Sequence, residues 1–320
     1  MISGPLSPLS SLPNPQGFEV IPSGTPFRTL AGDRANVADT NNESAGVCCL
    51  SVAHTPAFAH GSRPPLLIEG IILRWALLFL FSLFLCLSPL SAAPEDITWE
   101  KGTYLVYRVD PQTETLRLFW KDNQGLPLKN FSNLRAHCAG EKIDLHFAMN
   151  AGIFGRTFAP LGLHVENGQT LVPLNRKRGE GNFFFRPNGV FLLSGNRPFI
   201  RETPELQTFK DRIDQATQSG PLLLRRGKIH PGLRADSPHL YTRNGIGIDS
   251  RGGIVLVWAR TPITLHAFAR FFQENRKCPD ALYLDGSISS AWHRDHSFVS
   301  WSDYAGLIGV VGTGKPATAR

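Results

Sequence analysis

The chain is poor in sulfur, with five cysteines and two methionines among 320 residues. Only Cys138 and Cys278 lie beyond residue 93, and neither belongs to a C-x-x-C pair or stands beside a group of histidines. This argues against a cysteine nucleophile and against a zinc site. Long runs of Lys or Arg and the spacings of helix-turn-helix or zinc-finger domains are also missing, so nucleic acid is not an expected partner.

The first 93 residues do not have the pattern of a folded domain. Residues 1–70 are rich in Pro, Ser, Gly, Ala and Asn without helical or alternating periodicity, which predicts disorder or a mis-annotated extension. Arg74 then precedes an apolar run at residues 75–87, too short for the about 20 residues of a membrane span, and Ser91 and Ala93 follow as small residues. This order predicts a secretory signal peptide at 71–93, cleaved after Ala93.

A signal peptide implies a periplasmic or secreted protein whose membrane contact is limited to the signal segment. The alternative is an uncleaved anchor with a cytoplasmic tail. Because Met1 and Met149 are the two methionines, an internal signal requires translation to start before Arg74 at a codon other than the usual one. The residues before Cys86 lack the small side chains of a lipoprotein signal, so no lipid anchor is predicted.

Residues 94–320 are numerous enough for one domain with a sizeable core. Four Lys/Arg and five Asp/Glu lie in residues 1–93, so the remainder carries 29 basic and 21 acidic residues, a formal net charge of +8. This balance fits an anionic substrate or surface. In an oxidising compartment Cys138 and Cys278 could pair, a question that the sequence leaves open.

Short strand patterns dominate the domain. We predict strands or hairpins at 102–109, 114–120, 144–149, 161–172, 183–193, 218–228, 244–258 and 281–284. Helices are predicted at 131–139 and 264–275, the second with Thr264 as its N-cap. The fold class is therefore α+β, a single domain built on a mixed or antiparallel β-sheet with a few flanking helices.

The segment at 281–290 is the most informative. A buried apolar strand stops at Asp285, and Gly286 with several serines follows. A carboxylate beside a tight turn at a strand end is a common place for catalysis. The competing interpretation is that Asp285 caps a following helix, and these ten residues alone favour it.

Three other strand ends also carry polar groups in turn-prone sequence. Singly, each is typical of an ordinary turn; together they would form a site if the fold brought them into one place. They are Asn150 with Gly152, Ser219 with Gly220, and Arg243 with Asn244.

Four segments in this order resemble those of the phosphodiester glycosidase family, over most of residues 100–312. The segments are Asn150-Ala151-Gly152-Ile153-Phe154, Gln218-Ser219-Gly220-Pro221, Arg243-Asn244-Gly245-Ile246-Gly247 and Leu284-Asp285-Gly286-Ser287-Ile288-Ser289, against Asn-Ala-Gly-Phe-Phe, Gln-Ser-Gly, Arg-Thr-Ala-Ile-Gly and Leu-Asp-Gly-Gly-Gly-Ser in the family. The resemblance implies hydrolysis of a sugar-1-phosphodiester at the anomeric carbon, in a bacterial secreted branch of the family.

The resemblance also suggests roles for residues. Asp285 and Arg243 are the expected catalytic residues, as acid, base or nucleophile and as phosphate partner. The expected substrate-binding residues are Asn150, Gly152, Ser219, Gly220, Asn244, Gly286 and Ser289. A second carboxylate remains open among Glu166, Asp249 and Asp295, and His146 or His293 could act as acid or base. No cofactor is certain, and a divalent cation near Asp285 is possible.

The chain departs from the family pattern at Ser287-Ile288, which replaces two glycines. This bulkier loop favours a different ligand, or a second interpretation in which the protein is a non-catalytic, envelope-associated carbohydrate-binding protein that has kept the pocket.

Overall fold

The computed structural model describes residues 93–110, 112–286, 288–296 and 302–314. The predicted extension at 1–70 and all but the last residue of the predicted signal peptide lie outside these ranges. The described strands form three antiparallel sheets. Among the described residues, none of the helices has the length and apolar character needed to cross a membrane.

The largest sheet has seven strands. In spatial order these are β1 (Glu95–Trp99), β2 (Gly102–Arg108), β13 (Ile254–Ile263), β12 (Tyr241–Ile248), β14 (Asp280–Tyr283), β10 (Leu222–Arg225) and β11 (Lys228–Ile229). A four-stranded sheet orders β15 (Ala291–His293), β4 (Leu145–Asn150), β16 (Leu307–Gly312) and β3 (Glu114–Phe119). A five-stranded sheet orders β6 (Gln169–Val172), β5 (His164–Glu166), β9 (Gln215–Ser219), β7 (Gly189–Ser194) and β8 (Arg197–Glu202).

Two α-helices lie among the described residues. Helix α1 (Phe131–Gly140) begins at Asn130, whose side chain accepts a hydrogen bond from the Asn133 amide. Helix α2 (Leu265–Arg270) begins at the predicted N-cap Thr264 and continues as a π-helical turn over Phe271–Asn275. Both helices were predicted, the second from the Thr264 cap followed by an apolar face. Two 3-10 turns occupy Asn182–Phe184 and Thr203–Gln207.

All three sheets contribute side chains to one central core. Because alternate side chains of a strand point to opposite faces, a strand can also contribute to a second apolar layer. On β2, Leu105 and Tyr107 enter the central core, whereas Tyr104 and Val106 face the layer that contains α2. The central core also receives Leu116 from the four-stranded sheet and Phe191 from the five-stranded sheet. Helix α1 covers the outer face of the four-stranded sheet.

The predicted α+β single-domain class is confirmed, and the described sheets are antiparallel rather than mixed. The predicted strand at 183–193 is wrong in its first half, since residues 182–184 form a 3-10 turn and the strand starts at Gly189. Cys138 and Cys278 are buried free thiols in separate apolar clusters, so they do not pair. Burial raises the pKa of Cys138 to about 11 and that of Cys278 to about 12, which leaves both thiols protonated and inert.

Candidate active site

Asp285 lies two residues beyond the end of β14, at the rim of the seven-stranded sheet. The next described secondary-structure element is the strand β15, with no helix among the described residues between them, so Asp285 is not a helix cap. Its side chain is partly exposed. The interpretation as a plain N-cap is therefore wrong, and the local conformation needs another cause.

That cause is a hydrogen-bond network centred on the fully buried Asn244. Its side-chain Nδ2 donates to the backbone oxygen of Asn150 at 2.8 Å and to Asn150 Oδ1 at 3.0 Å. Its Oδ1 accepts from the backbone N–H of Asp285 at 2.9 Å. Asn150 Oδ1 accepts in addition from the Ser290 amide at 3.1 Å. One amide thus ties the end of β4 to the loop that carries Asp285.

Two serines complete the network. The Ser219 hydroxyl donates to the Leu284 carbonyl at 3.0 Å, which joins the end of β9 to the end of β14. The Ser289 hydroxyl faces three acceptors, among them the Asp285 carbonyl at 2.5 Å and Asn244 Oδ1 at 3.1 Å. With one proton it can donate to a single acceptor at a time. Asn150, Ser219, Asn244, Asp285 and Ser289 are therefore brought together, as their common place in the predicted site requires.

The three predicted glycines permit close approach of chain segments. A Cβ on Gly152 would lie 2.5 Å from the Gln218 carbonyl oxygen, and one on Gly220 would lie 2.8 Å from the Phe183 carbonyl oxygen. A Cβ on Gly286 would overlap the hydroxyl of Tyr283. These positions need glycine because backbone or side-chain atoms fill the space where a methyl group would sit.

Of the two residues at which the chain departs from the family pattern, Ser287 and Ile288, the structure describes Ile288. Ile288 is half-buried and packs against the apolar cluster between α1 and the four-stranded sheet, which includes Phe131. Ser287 lies outside the described residues. The larger side chain at position 288 therefore packs the loop against this apolar cluster.

The electrostatics of Asp285 suit acid–base chemistry. Desolvation raises the pKa of its carboxyl from 3.8 to about 7, and a hydrogen bond from the Gly286 backbone opposes this rise. Such a pKa lets the carboxyl both accept and release a proton near neutral pH, which is the range in which general acid–base catalysis is most effective.

Arg243 precedes Asn244 on β12 and so points to the opposite face of the sheet, toward α2. It is 2% exposed. Its Nε donates to the Ile263 carbonyl at 2.7 Å and its Nη2 to the His239 carbonyl at 2.9 Å, while Nη1 lies 3.5 Å from the Tyr283 hydroxyl. None of the described residues gives Arg243 a carboxylate partner within salt-bridge distance. Burial accordingly lowers the pKa of its guanidinium.

Arg243 lines a cavity of about 500 Å³. Its walls come from β12, the start of α2, the 3-10 turn at 182–184 and the loop between β11 and β12. The other lining residues are Asn182, Phe185, Gly232, Leu233, Arg234, Ser237, Pro238, His239, Tyr241 and Leu265. Asp285 is not among them. The two proposed catalytic residues are linked instead through Tyr283, whose hydroxyl lies 3.5 Å from Arg243 Nη1. The negative charge of nearby Asp285 contributes to the raised pKa of this phenol, after desolvation as the main cause.

The three candidates for a second carboxylate are engaged elsewhere. Glu166 pairs with His164, with Oε1 and Nε2 2.8 Å apart. Asp249 pairs with Arg108 at 2.8 Å, and Asp295 is an exposed residue of the turn after β15. None of them enters the hydrogen-bond network described around Asp285.

The two candidate histidines also lie outside that network. His146 sits between Glu114 at 2.5 Å and Asp144 at 2.9 Å, whereas His293 faces His296. Within the described part of the chain, no group of three or more His, Cys, Asp or Glu side chains is arranged to hold a metal ion. The divalent cation near Asp285 thus gains no support from ligand geometry.

Comparison with known proteins identifies the family. The family model for phosphodiester glycosidases matches residues 144–307. The chain belongs to the phosphodiester glycosidase family. The chain is also 36% identical over 225 residues to the uncharacterized protein YigE of Escherichia coli strain K12, which covers 69% of this chain and 87% of that protein. Family membership supports a glycosidase-type hydrolase.

The chain also resembles solved structures at lower sequence identity. One is the zebrafish N-acetylglucosamine-1-phosphodiester alpha-N-acetylglucosaminidase catalytic domain, auto-inhibited by its pro-peptide, with 16% identity, a TM-score of 0.46, and coverage of 70% of this chain and 84% of that one. Another is a hypothetical protein from Synechocystis, with 15% identity, a TM-score of 0.44, and coverage of 68% and 61%.

Several residues of the candidate site were not predicted from the sequence. Tyr241 could have been found from its place two residues before Arg243, and it lines the same cavity although the register of β12 against β13 shifts between the two residues. Tyr283 likewise lies two residues before Asp285. Asn182, Phe185 and His239 lie in a turn and loops whose positions depend on contacts far along the chain.

Proposed function

We propose that this phosphodiester glycosidase hydrolyses a sugar-1-phosphodiester. The observation that carries the proposal is a buried arginine without a carboxylate partner, Arg243, which lines a cavity and is linked through one phenol to a carboxyl with a pKa of about 7. Two carbonyl acceptors and the rings of Tyr241 and Tyr283 offset part of the cost of burying this cation. No described carboxylate neutralises it, and a ligand that supplies negative charge would do so.

Arg243 has the right free donors for a phosphate. A guanidinium carries five N–H groups, and Nε, Nη1 and Nη2 each direct one toward a protein oxygen. One N–H therefore remains on each terminal nitrogen, and two donors on one guanidinium can bind two phosphate oxygens at once. In the reaction this pair would stabilise the charge that grows on the departing phosphate.

Asp285 would act as the general base. The bond between the anomeric carbon and the phosphate oxygen breaks, its electron pair stays with the phosphate, and a water oxygen bonds to the carbon. The carboxylate of Asp285 accepts the proton that the water releases. Because a phosphate is a good leaving group, proton donation to it is less needed than removal of the water proton.

The surrounding network would position Asp285. Asn150, Ser219, Asn244 and Ser289 direct side-chain hydrogen bonds to protein groups around the loop. In this proposal they fix the backbone at Asp285, and their predicted direct contact with substrate remains a prediction. Fixed orientation of a catalytic group contributes strongly to rate.

A non-catalytic carbohydrate-binding role is the second candidate. The observation that favours it is that no second carboxylate joins Asp285 in the network described above, whereas most glycosidases use two. A binding protein would keep the Arg243 cavity and bind sugar phosphates without turnover.

Turnover assays separate the two candidates. The purified protein is incubated with a panel of sugar-1-phosphodiesters that differ in sugar and in alcohol, and the released sugar is measured. We expect turnover that Asp285→Asn abolishes and that Asp211→Asn, a change at an exposed carboxylate, leaves intact. Binding without turnover across the panel would support the carbohydrate-binding protein instead.

We also propose that the protein is exported through the signal segment at 71–93, to the periplasm or the outside of the cell. The support is the order of basic, apolar and small residues in the sequence. N-terminal sequencing of the protein from the extracytoplasmic fraction should give Pro94 as the first residue. A mature N-terminus upstream of Trp75 would contradict this.

A further inference from the structure

Tyr283 is a buried phenol at the junction of the two proposed catalytic residues. It is 1% exposed and lies at the end of β14, two residues before Asp285. Its hydroxyl is 3.5 Å from Arg243 Nη1, and the nearby Asn182 side chain opposes the rise in the pKa of the phenol that desolvation causes. Both of these partners line the cavity.

The same hydroxyl supports the loop after Asp285. A Cβ at Gly286 would overlap the Tyr283 oxygen, and it would lie 3.3 Å from the ring carbon that bears it. The loop backbone therefore rests directly on the hydroxyl rather than on the ring. One oxygen atom contacts the anion-binding side and the carboxylate side of the site.

Ordinary core packing does not account for this placement. A buried phenol that served only to fill space would be equivalent to phenylalanine, which carries no polar atom to satisfy. Here the hydroxyl bonds a buried cation whose other described acceptors are two backbone carbonyls. Removal of the hydroxyl would leave Nη1 without its protein partner, so the guanidinium would be held through Nε and Nη2 alone.

We propose that Tyr283 is a positioning residue, which holds the Arg243 guanidinium toward the cavity and supports the Gly286 turn that orients Asp285. This role rests on the proposed function, because it assigns Tyr283 to the same site. The chemistry that it serves is recognition of a phosphate group at Arg243.

The test is Tyr283→Phe, with Tyr104→Phe as the matched control. Tyr104 is also 1% exposed and faces the same α2-covered side of the seven-stranded sheet, but it stacks on Phe271, away from Arg243. We expect Tyr283→Phe to weaken binding of inorganic phosphate, and to raise KM for a phosphodiester, by about tenfold, the worth of one hydrogen bond to a charged group. Tyr104→Phe should leave both values unchanged.

The dependence of kcat/KM on pH distinguishes a positioning role from a simple loss of stability, which would leave it unchanged. Tyr283→Phe replaces a polar group near Asp285 by an apolar edge, so the carboxylate becomes less well solvated and the acid limb of kcat/KM moves to higher pH. A variant with lower thermal stability but unchanged KM, phosphate affinity and acid limb would overturn the proposal.

A second pair of variants covers the case in which Tyr283→Phe folds poorly. Gly286→Ala should destabilise the protein, because its methyl group meets the hydroxyl, and Tyr283→Phe with Gly286→Ala should regain stability while phosphate binding stays weak. Asn182→Ala, a change at an exposed residue, should reproduce the weaker phosphate binding on a smaller scale. Full phosphate affinity in the double variant would contradict the role of Tyr283.

The two proposals fail in different ways. Absence of turnover by the wild-type protein on every phosphodiester would count against the proposed function, and the phosphate-binding measurements would still decide the role of Tyr283. Normal wild-type turnover with an unaltered Tyr283→Phe variant would reject the role of Tyr283 alone.

Discussion

The carboxyl of Asp285 is harder to ionise in the folded protein than in the unfolded chain. Desolvation raises the pKa of its carboxyl from 3.8 to about 7. At about 1.4 kcal/mol per pH unit, this shift corresponds to roughly 4 kcal/mol as an upper value for the cost of ionising Asp285 in the folded protein. Strained or poorly solvated groups of this kind are concentrated at functional sites.

The shift predicts a pH dependence of stability. Between pH 4 and 7 the unfolded chain has released the Asp285 proton, whereas the folded chain still holds it. The contribution of Asp285 to the free energy of unfolding is therefore fully present below pH 4 and is lost as pH rises through about 7. Asp285→Asn should remove this loss, and should raise the free energy of unfolding at pH 8 by about 2–4 kcal/mol. Urea unfolding at several pH values measures it, with Asp211→Asn as control. Parallel curves of unfolding free energy against pH for wild type and Asp285→Asn would contradict the raised pKa of this carboxyl.

Arg243 offers the complementary test at the residue scale. Arg243→Met keeps the length of the side chain but removes the charge, so it should reduce kcat/KM at least about a hundredfold, as loss of a transition-state donor does. Since a buried charge without a carboxylate partner is lost together with its contacts to two carbonyls and one phenol, the free energy of unfolding should change by less than about 2 kcal/mol. Steady-state kinetics and urea unfolding measure the two effects. Arg251→Met, at an exposed position, should change neither, and a large loss of stability with unchanged kinetics would make Arg243 a structural residue.

At the scale of elements, strand β12 organises both sides of the site. Its successive residues Arg243 and Asn244 face opposite sides of the seven-stranded sheet, one toward the cavity and the other toward the loop network. The glycines that follow let α2 and its π-helical turn lie close to the strand: a Cβ at Gly247 would be 2.8 Å from the Phe272 ring. This segment of β12 therefore carries two residues of the candidate site next to glycines that permit close packing.

The tight packing at Gly247 gives a prediction for this element. Gly247→Ala should destabilise the protein by about 1–3 kcal/mol, because the added methyl group overpacks the interface between β12 and the helical layer. Chemical denaturation measures the loss. Gly140→Ala, at the end of α1 where a Cβ meets no atom within 4 Å, is the control and should be neutral or slightly stabilising. Equal stability of the two variants would contradict the close contact.

Elements with strong local signals were the ones that the sequence could predict. The hairpin at Asn167-Gly168 and the helix after Thr264 depend on a turn pair and on a cap with an apolar face. Strand β16 was missed because it is a uniformly buried apolar segment without alternation, and its partners β3 and β4 lie far away in the sequence. The first half of 183–193 was misread because an aromatic run is compatible with a strand and with the 3-10 turn that forms.

At the scale of the whole molecule, the site is a junction of three sheets. Asn150 ends β4 of the four-stranded sheet, Ser219 ends β9 of the five-stranded sheet, and Asn244 belongs to β12 of the seven-stranded sheet. The ordered sequence blocks predicted this convergence. They did not reveal the cavity loop or Tyr283, because a long-range contact between loops leaves no local pattern in the chain.

The central claim is that the bond between the anomeric carbon and the phosphate oxygen is broken. Hydrolysis of a sugar-1-phosphodiester in water labelled with heavy oxygen tests it most directly, followed by mass spectrometry of both products. The proposed mechanism predicts the label in the hydroxyl of the released sugar and none in the phosphate, with no labelled product from Asp285→Asn. Label in the phosphate would mean that the phosphorus–oxygen bond is cut, and would contradict a glycosidase mechanism.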